Sequence, residues 1–468
     1  MKSFRPALVC GAAMLLPLMA HAASPYDAQA REIYAKLISI PSELGRAKVP
    51  EVAEYLAGEF RAAGFPAEDI HVLRYQGSGD PTASFVARYR GTGRGGKPIL
   101  LMAHMDVVAA KREDWERDPY TLIEENGFFY GRGTYDVKQG VAALTATLLR
   151  LKAEKFVPSR DLIVYFSGDE ETAMETVRDV VANHRALIDA EYALNSDGGG
   201  GALDDDTGKA LYFTVQTAEK TYADFRLTAR NPGGHSSLPR PDNAIYDLAD
   251  ALVKVRAYKF PVMWNDTTVA SFKQAGTTQP GELGRALLAF AATPGDAAAA
   301  AVIDRDPGFV GQIRTTCVAT MLAGGHAENA LPQSASANIN CRIFPGMKVE
   351  DVQATLQKIV GENVETSLTT PAISSDASPL RKDVMEAVTR AIRKIQPGVA
   401  VTPSQSSGAT DGLALRPAGI PTYGVDGNFI RPKDEFAHGL NERLPVKSFY
   451  DSLTYWHALL IDLADKRR

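Results

Sequence analysis

From about residue 97 to 200 the chain repeats one pattern: a short apolar run ends in a cluster of polar residues, and an amphipathic stretch follows. PILLM at 98–102 runs into His104, LIVYF at 162–166 into Glu170, and YAL at 192–194 into Asp197. Runs this short, without polar alternation, suit strands buried on both faces, and 141–151 between two of them reads as a helix. Gaps of roughly thirty residues leave room for the crossovers that parallel strands need. The pattern predicts an α/β region with a largely parallel sheet. Ligands in such sheets bind beyond the carboxyl ends of the strands, where His104, Glu170 and Asp197 fall.

Beyond about residue 217 the texture changes. Positions 222–229 alternate like a half-buried strand, a helix is expected over 243–258, and 314–322 and 335–344 read as two further strands. The Ala-rich, Pro- and Gly-punctuated piece at 260–306 reads as added helices. A smaller α+β domain is therefore expected at 218–343. After about 345 the α/β texture returns, with helices near 349–360 and 379–395, a strand at 421–425 and a closing helix from 446 to about 464. The core domain is then discontinuous, 23–217 and 344–468.

Composition narrows the class without naming a chemistry. At 468 residues, 45% hydrophobic and 23% charged, the chain suits a globular protein with two cores. A formal charge of -5 offers no basic face for a phosphate backbone, so no nucleic-acid partner is expected. Residues 1–22 stand apart: Lys2 and Arg5 precede an apolar stretch at 7–20, followed by Ala-His-Ala at 20–22. This reads as a signal peptide cleaved after Ala22, with the protein exported to a periplasm or secreted. The run is shorter than the ~20 residues of a spanning helix and contains Pro17, so no membrane span is expected to remain. Outside it the cysteines are Cys317 and Cys341, on the two expected strands flanking the loop at 324–332, where antiparallel pairing would set them opposite each other. A disulfide bracing the inserted domain is the expectation.

Five segments supply metal-ligand residue types. They are His104-Met105-Asp106, Asp136 in GRGTYDVK, Glu170-Glu171 in GDEE, Asp197 in NSDGG, and His438 in AHGLNE. Imidazole and carboxylate together suit Zn²⁺, whereas carboxylates alone would suit Mg²⁺ or Ca²⁺. Each segment alone has a plainer explanation. An acidic pair often opens a helix, an Asp before glycines often makes a turn, and a single His is more often structural. Those explanations weaken jointly, because the segments recur at the ends of expected parallel strands.

The order of motifs closely resembles the co-catalytic zinc metallopeptidases that include aminoacylase, glutamate carboxypeptidase, carnosinase-type dipeptidases and succinyl-diaminopimelate desuccinylase. The likeness runs through His-x-Asp, Gly-Arg-Gly-x-x-Asp-x-Lys, Glu-Glu, Asp, Gly-Gly-His-Ser-Ser and a late His-Gly-x-Asn-Glu. Departures are Ala109, where many members have proline, and the enlarged insert at 260–306. The resemblance implies a zinc-hydrolase catalytic domain with an inserted lid or dimerisation domain, and two Zn²⁺ per chain, with Co²⁺ or Mn²⁺ as substitutes. It implies that Asp136 bridges the metals, with His104 and Asp197 completing one site and Glu171 and His438 the other. Asp106 would orient His104, and Glu170 would be the general base, passing a proton from the attacking water to the leaving amine. A cis peptide between Asp136 and Val137 is also implied.

On the substrate side the resemblance makes His235 a polariser of the scissile carbonyl, reaching the metals after domain closure or from the second subunit of a homodimer. It gives Asn329 and Arg342 substrate contacts, with Arg342 capturing a terminal carboxylate, and places Thr410 and Asp411 in a carboxylate-side loop. The expected activity is that of a carboxypeptidase or dipeptidase cleaving an amide beside a free carboxylate. An N-acyl-amino-acid deacylase uses the same machinery and is the alternative. A catalytically silent metal- or peptide-binding relative is disfavoured because the base Glu170 is intact.

Overall fold

The computed structural model describes residues 24–465 except 78 and 370. The expected signal at 1–22 lies outside the described residues. Among them no helix is long and apolar enough to cross a membrane.

Ten strands form one large sheet, whose centre is parallel. Leu162–Ser167, Ile99–His104, Tyr192–Asn195 and Thr422–Gly424 lie side by side in that order, all parallel. The first three are buried at every residue, as their unbroken apolar runs require. Antiparallel strands Thr82–Tyr89 and Ile70–Tyr75 extend one side. On the other side, Ala210–Glu219 carries Val401–Ser406 in parallel pairing. Helices Pro25–Ile38, Val49–Ala62, Lys138–Ala153, Lys382–Ile395 and Val446–Ala464 pack one face, and Glu175–Asn183 with the short Gly412–Leu415 packs the other. The helix Lys138–Ala153 is buried around most of its circumference, so its apolar residues are not confined to one stripe.

A second, four-stranded antiparallel sheet has the order Thr316–Gly324, Ser334–Ile343, Thr221–Arg230, Val364–Leu368. Thr221–Arg230 buries every second residue, the alternation of a sheet with one covered face. Helices Ala244–Ala257 and Val349–Val360 share its core. Asn243 caps the first of these, its side-chain oxygen accepting from the Ile245 amide at 2.8 Å.

This corrects the division at 343/344. The helix Val349–Val360 was expected with the catalytic core, as part of 344–468, but it packs on the smaller sheet, and the residues after it form a strand, Val364–Leu368, that pairs within that sheet. An amphipathic helix followed by a strand carries no mark of which sheet it covers. Cys317 and Cys341 stand opposite each other on adjacent strands of this sheet and are joined as a disulfide.

The insert forms three helices, Asp266–Thr278, Gly281–Ala292 and Ala297–Ile303, around a core of its own that includes Phe272, Leu287, Phe290 and Ile303. Its first helix leans on the large sheet. Thr267 Oγ1 meets Thr217 Oγ1 at 2.6 Å, and the Asn265 amide donates to Gln405 Oε1 at 3.4 Å.

Candidate metal centre

Three adjacent parallel strands deliver ligand-type side chains at one end of the large sheet. His104 closes Ile99–His104, Glu170 and Glu171 follow Leu162–Ser167, and Asp197 follows Tyr192–Asn195. Hydrogen bonds across the strand ends hold these exits in register: the Met105 amide donates to Ser167 O at 2.9 Å, and Ser196 to Met102 O at 2.8 Å. Asp136 comes from the loop before Lys138–Ala153, and the Asp136–Val137 bond is cis. His438 arrives from a distant loop with φ 60, the left-handed region that a non-glycine residue occupies at some cost.

The carboxylate of Asp136 stands between the two imidazoles. One oxygen lies 3.1 Å from His104 Nε2, and the other 3.0 Å from His438 Nε2. His438 Nε2 is also 3.0 Å from Glu171 Oε2. Single donor atoms of His104, Asp136 and Glu171 lie within 4.8 Å of one another, as do those of His104, Glu170 and Asp197. His104 is buried, and its Nδ1 approaches the Asp106 carbonyl at 3.0 Å. The Asp106 carboxylate stands 3.5 Å from that nitrogen, while its oxygens accept from the Glu170 amide at 3.2 Å and the Glu171 amide at 3.0 Å. One residue thus orients the first histidine and fixes the backbone of both glutamates.

Charge in this recess is unbalanced. Burial, then the Asp197 charge, hold the Glu170 carboxyl well above its ordinary range. Burial, with Asp136 close by, does the same to Asp197. Burial opposes ionisation of Asp136 too, but its hydrogen bonds to His104 and His438 outweigh that and hold it low. Hydrogen bonds to Asp136 and Glu171 raise His438 to about 10. Four carboxylates converging on two imidazoles form an acceptor set with too few cations, and this donor chemistry fits divalent metal.

Two further residues, quoted within motifs above but given no role there, tie the ligand loops together. Glu442 is fully buried and accepts from Arg132 Nη1 at 2.7 Å, Gly133 N at 3.0 Å, Tyr135 N at 2.7 Å and Asp136 N at 2.9 Å. Arg132 donates in turn to the carbonyls of His438 at 3.3 Å and Gly439 at 3.1 Å. The sequence signal was a carboxylate four residues beyond the late histidine and an arginine between two glycines.

The substrate-side residues are not among these ligand groups, although the Asp411 charge bears on Glu170 and Asp197. His235 is exposed on the two-residue strand Gly234–His235, paired with Ala330–Leu331, and its Nδ1 is 2.7 Å from Ser237 Oγ. Asn329 is exposed beside it, its carbonyl accepting from the Ser236 amide at 3.0 Å. Arg342 lies over the Tyr222 ring at 4.7 Å and donates to the Ser407 carbonyl at 3.0 Å. Thr410 and Asp411 are buried and turned inward. Thr410 Oγ1 accepts from the Gly412 amide at 3.1 Å, and Asp411 hydrogen-bonds Ser167, at the end of the strand that leads to Glu170.

A family model described as peptidase family M20/M25/M40 matches residues 100–462. The chain belongs to that family. Among curated relatives, the human N-fatty-acyl-amino acid synthase/hydrolase PM20D1 is 28% identical over 377 residues, 78% of this chain and 74% of the human protein. The solved structure of the M20 family metallo-carboxypeptidase Sso-CP2 from Sulfolobus solfataricus is similar at TM-score 0.67 and 17% identity, over 92% of this chain and 98% of that one. The di-peptidase Dug1p from Saccharomyces cerevisiae is similar at TM-score 0.65 and 17% identity, over 94% and 97%. At these identities both likenesses are of fold. The chain is therefore an M20 metallohydrolase, and at one end of its large sheet it gathers His and carboxylate groups of the kind that can hold a metal ion.

Proposed function

We propose that the chain is an exopeptidase of the carboxypeptidase or dipeptidase type, cleaving an amide beside a free carboxylate with two Zn²⁺ held by His104, Asp136, Glu171, Asp197 and His438. The carrying observation is the Asp136 carboxylate, one oxygen against each imidazole. In this reading Asp136 serves both metals, His104 and Asp197 complete one site, and Glu171 and His438 complete the other. Co²⁺ or Mn²⁺ suits the same donors. Bound zinc supplies a water whose pKa is lowered to about 7 and positive charge for the developing oxyanion.

The protein's own groups do the rest. Glu170 takes the proton of the attacking water and returns it to the leaving amine. Burial, then the Asp197 charge, raise its carboxyl from the ordinary carboxylate range. Asp106 keeps Glu170 in place through the backbone. His235 polarises the scissile carbonyl once the smaller domain closes, or from a second copy. Arg342 takes the carboxylate, with Asn329 and the loop of Thr410 and Asp411 shaping that side.

A second reading, hydrolysis of N-acyl amino acids, is favoured by the name of the human relative and by a cavity of about 150 Å³ beside Asp106 and Asp169. Leu44, Val49, Pro81 and Ala173 give it apolar walls that suit an acyl chain.

Glu170→Gln should retain its metals by elemental analysis and lose turnover by roughly 10²–10⁴-fold. Undiminished turnover would remove Glu170 from its role. A panel of dipeptides and N-acyl amino acids, assayed with Zn²⁺, Co²⁺ or Mn²⁺, decides the substrate. Cleavage of acylated compounds alone would replace the exopeptidase reading with the second.

A homodimer through the smaller domain is supported by the edge strand Thr316–Gly324, which exposes Val318, Met321 and Leu322. Ile245, Tyr246 and Val253 are exposed on helix Ala244–Ala257, and Ile245 reaches Gly324. Light scattering at micromolar concentration tests it, and a monomer there would sink it. Export is supported by the disulfide, since such bonds persist in oxidising compartments. An intact residue 1 on the protein purified from its native cells would count against cleavage.

A further inference from the structure

Lys220 is the single residue between the large-sheet strand Ala210–Glu219 and the small-sheet strand Thr221–Arg230. It is 1% exposed. Its ammonium donates to the Arg314 carbonyl at 2.9 Å and approaches Thr316 Oγ1 at 3.3 Å, both neutral acceptors. Among the described residues it forms no ion pair, and the one charge that acts on it is another cation, Arg342. Burial, then Arg342, push its pKa down to about 7.

A second buried lysine differs in its surroundings. Lys138 is as deeply buried, also donates to carbonyls, Leu37 O at 2.9 Å and Ile40 O at 2.6 Å, and is likewise pushed down to about 7 by burial, but Glu442, Asp106 and Glu43 act in favour of its charge. Lys220 has no such support. The nearby carboxylates are committed elsewhere: Glu219 pairs with Arg416, Asp304 with the Arg314 guanidinium, and Asp224 accepts from the Asn338 and Asn340 amides. A buried cation next to another cation is costly unless an anion joins them.

Both cations border the Ser406–Ser407 segment. Arg342 donates to the Ser407 carbonyl, the Lys220 backbone amide donates to the Ser406 carbonyl at 3.0 Å, and a methyl on Gly311 would lie 3.4 Å from the Lys220 ammonium and 3.9 Å from Ser407 Oγ, so the ammonium and that hydroxyl flank the Gly311 turn. We propose that Lys220 is a specificity-determining residue for the substrate's free carboxylate, adding a second positive charge behind Arg342 from the far side of the Gly311 turn. This rests on the proposed capture of a carboxylate by Arg342, and adds a residue that sets how strongly the free acid is preferred over a neutral terminus.

The test compares the best substrate from the panel with its C-terminal carboxamide, in the full-length enzyme with metal. Lys220→Met should raise KM for the acid at least tenfold with kcat changed less than threefold, so that the acid-over-amide preference in kcat/KM falls about tenfold. Lys220→Arg should keep most of that preference. Because Lys220→Met removes an unpaired buried charge, its Tm should equal or exceed that of the wild type. An unchanged preference in Lys220→Met, or equal losses on acid and amide, overturns the assignment to Lys220 alone. A wild type with no preference for the acid removes the carboxylate reading itself, and this assignment with it.

Discussion

His104, Glu171 and Asp197 follow directly from strands buried at every residue, whereas His235 and Asn329 stand exposed at a hairpin whose strands are two residues long. Asp136 and His438 come from loops, but Glu442 and Arg132 bind those loops to each other through buried, charge-assisted hydrogen bonds. The ligand side is thus fixed before any substrate arrives. On the substrate side, His235 and Asn329 belong to the smaller domain, which has a core of its own, and Arg342 links that domain to the Ser407 loop. In the proposed mechanism the chemistry is set by folding and the binding by closure of the smaller domain, which is how lids commit a substrate.

Breaking the fixed side should give the largest effect. Glu442→Ala would leave Arg132 buried without its carboxylate and free three backbone amides around Asp136. Loss of one partner of a buried pair costs about 3–5 kcal/mol, so Tm should fall clearly and metal content should drop below one per chain by elemental analysis. Full metal content with an unchanged Tm would show that the ligand loops hold themselves.

The substrate side should fail differently. His235→Ala should cost roughly 10²–10³ in kcat, the scale of one lost oxyanion donor, with Tm and metal content as in the wild type. Its exposure predicts that stability is untouched. A matching fall in metal content would place His235 among the ligands and erase the contrast.

The sequence made the fixed side more legible than the substrate side. A buried parallel strand announces itself by an unbroken apolar run, and His104, Glu170 and Asp197 follow such runs at short range. The role of Glu442 was hidden because its partners are amides some three hundred positions earlier. Asp411 read equally well as a substrate contact, since nothing in a Gly-rich turn tells that its side chain points back to Ser167. The helix Val349–Val360 was assigned to the wrong core for a related reason: amphipathicity says that a helix covers something, and the partner is a long-range fact.

The insert bears on the same contrast, because it belongs to the chain segment of the smaller domain yet touches the large sheet. Thr267 and Thr217 are both buried, and their hydroxyls have each other at 2.6 Å. Thr267→Val keeps the shape and leaves the Thr217 hydroxyl unpaired, an outcome that costs about 1–3 kcal/mol where solvent cannot enter. Replacing both threonines by valine removes the unpaired group, so the double variant should recover most of that loss. Hydrogen exchange over Asp266–Thr278 should rise in the single variant and return toward the wild-type rate in the double one. If the insert restrains closure, KM should shift with the exchange rate while kcat stays level. Faster exchange with an unchanged KM would mean that the insert places no restraint on closure.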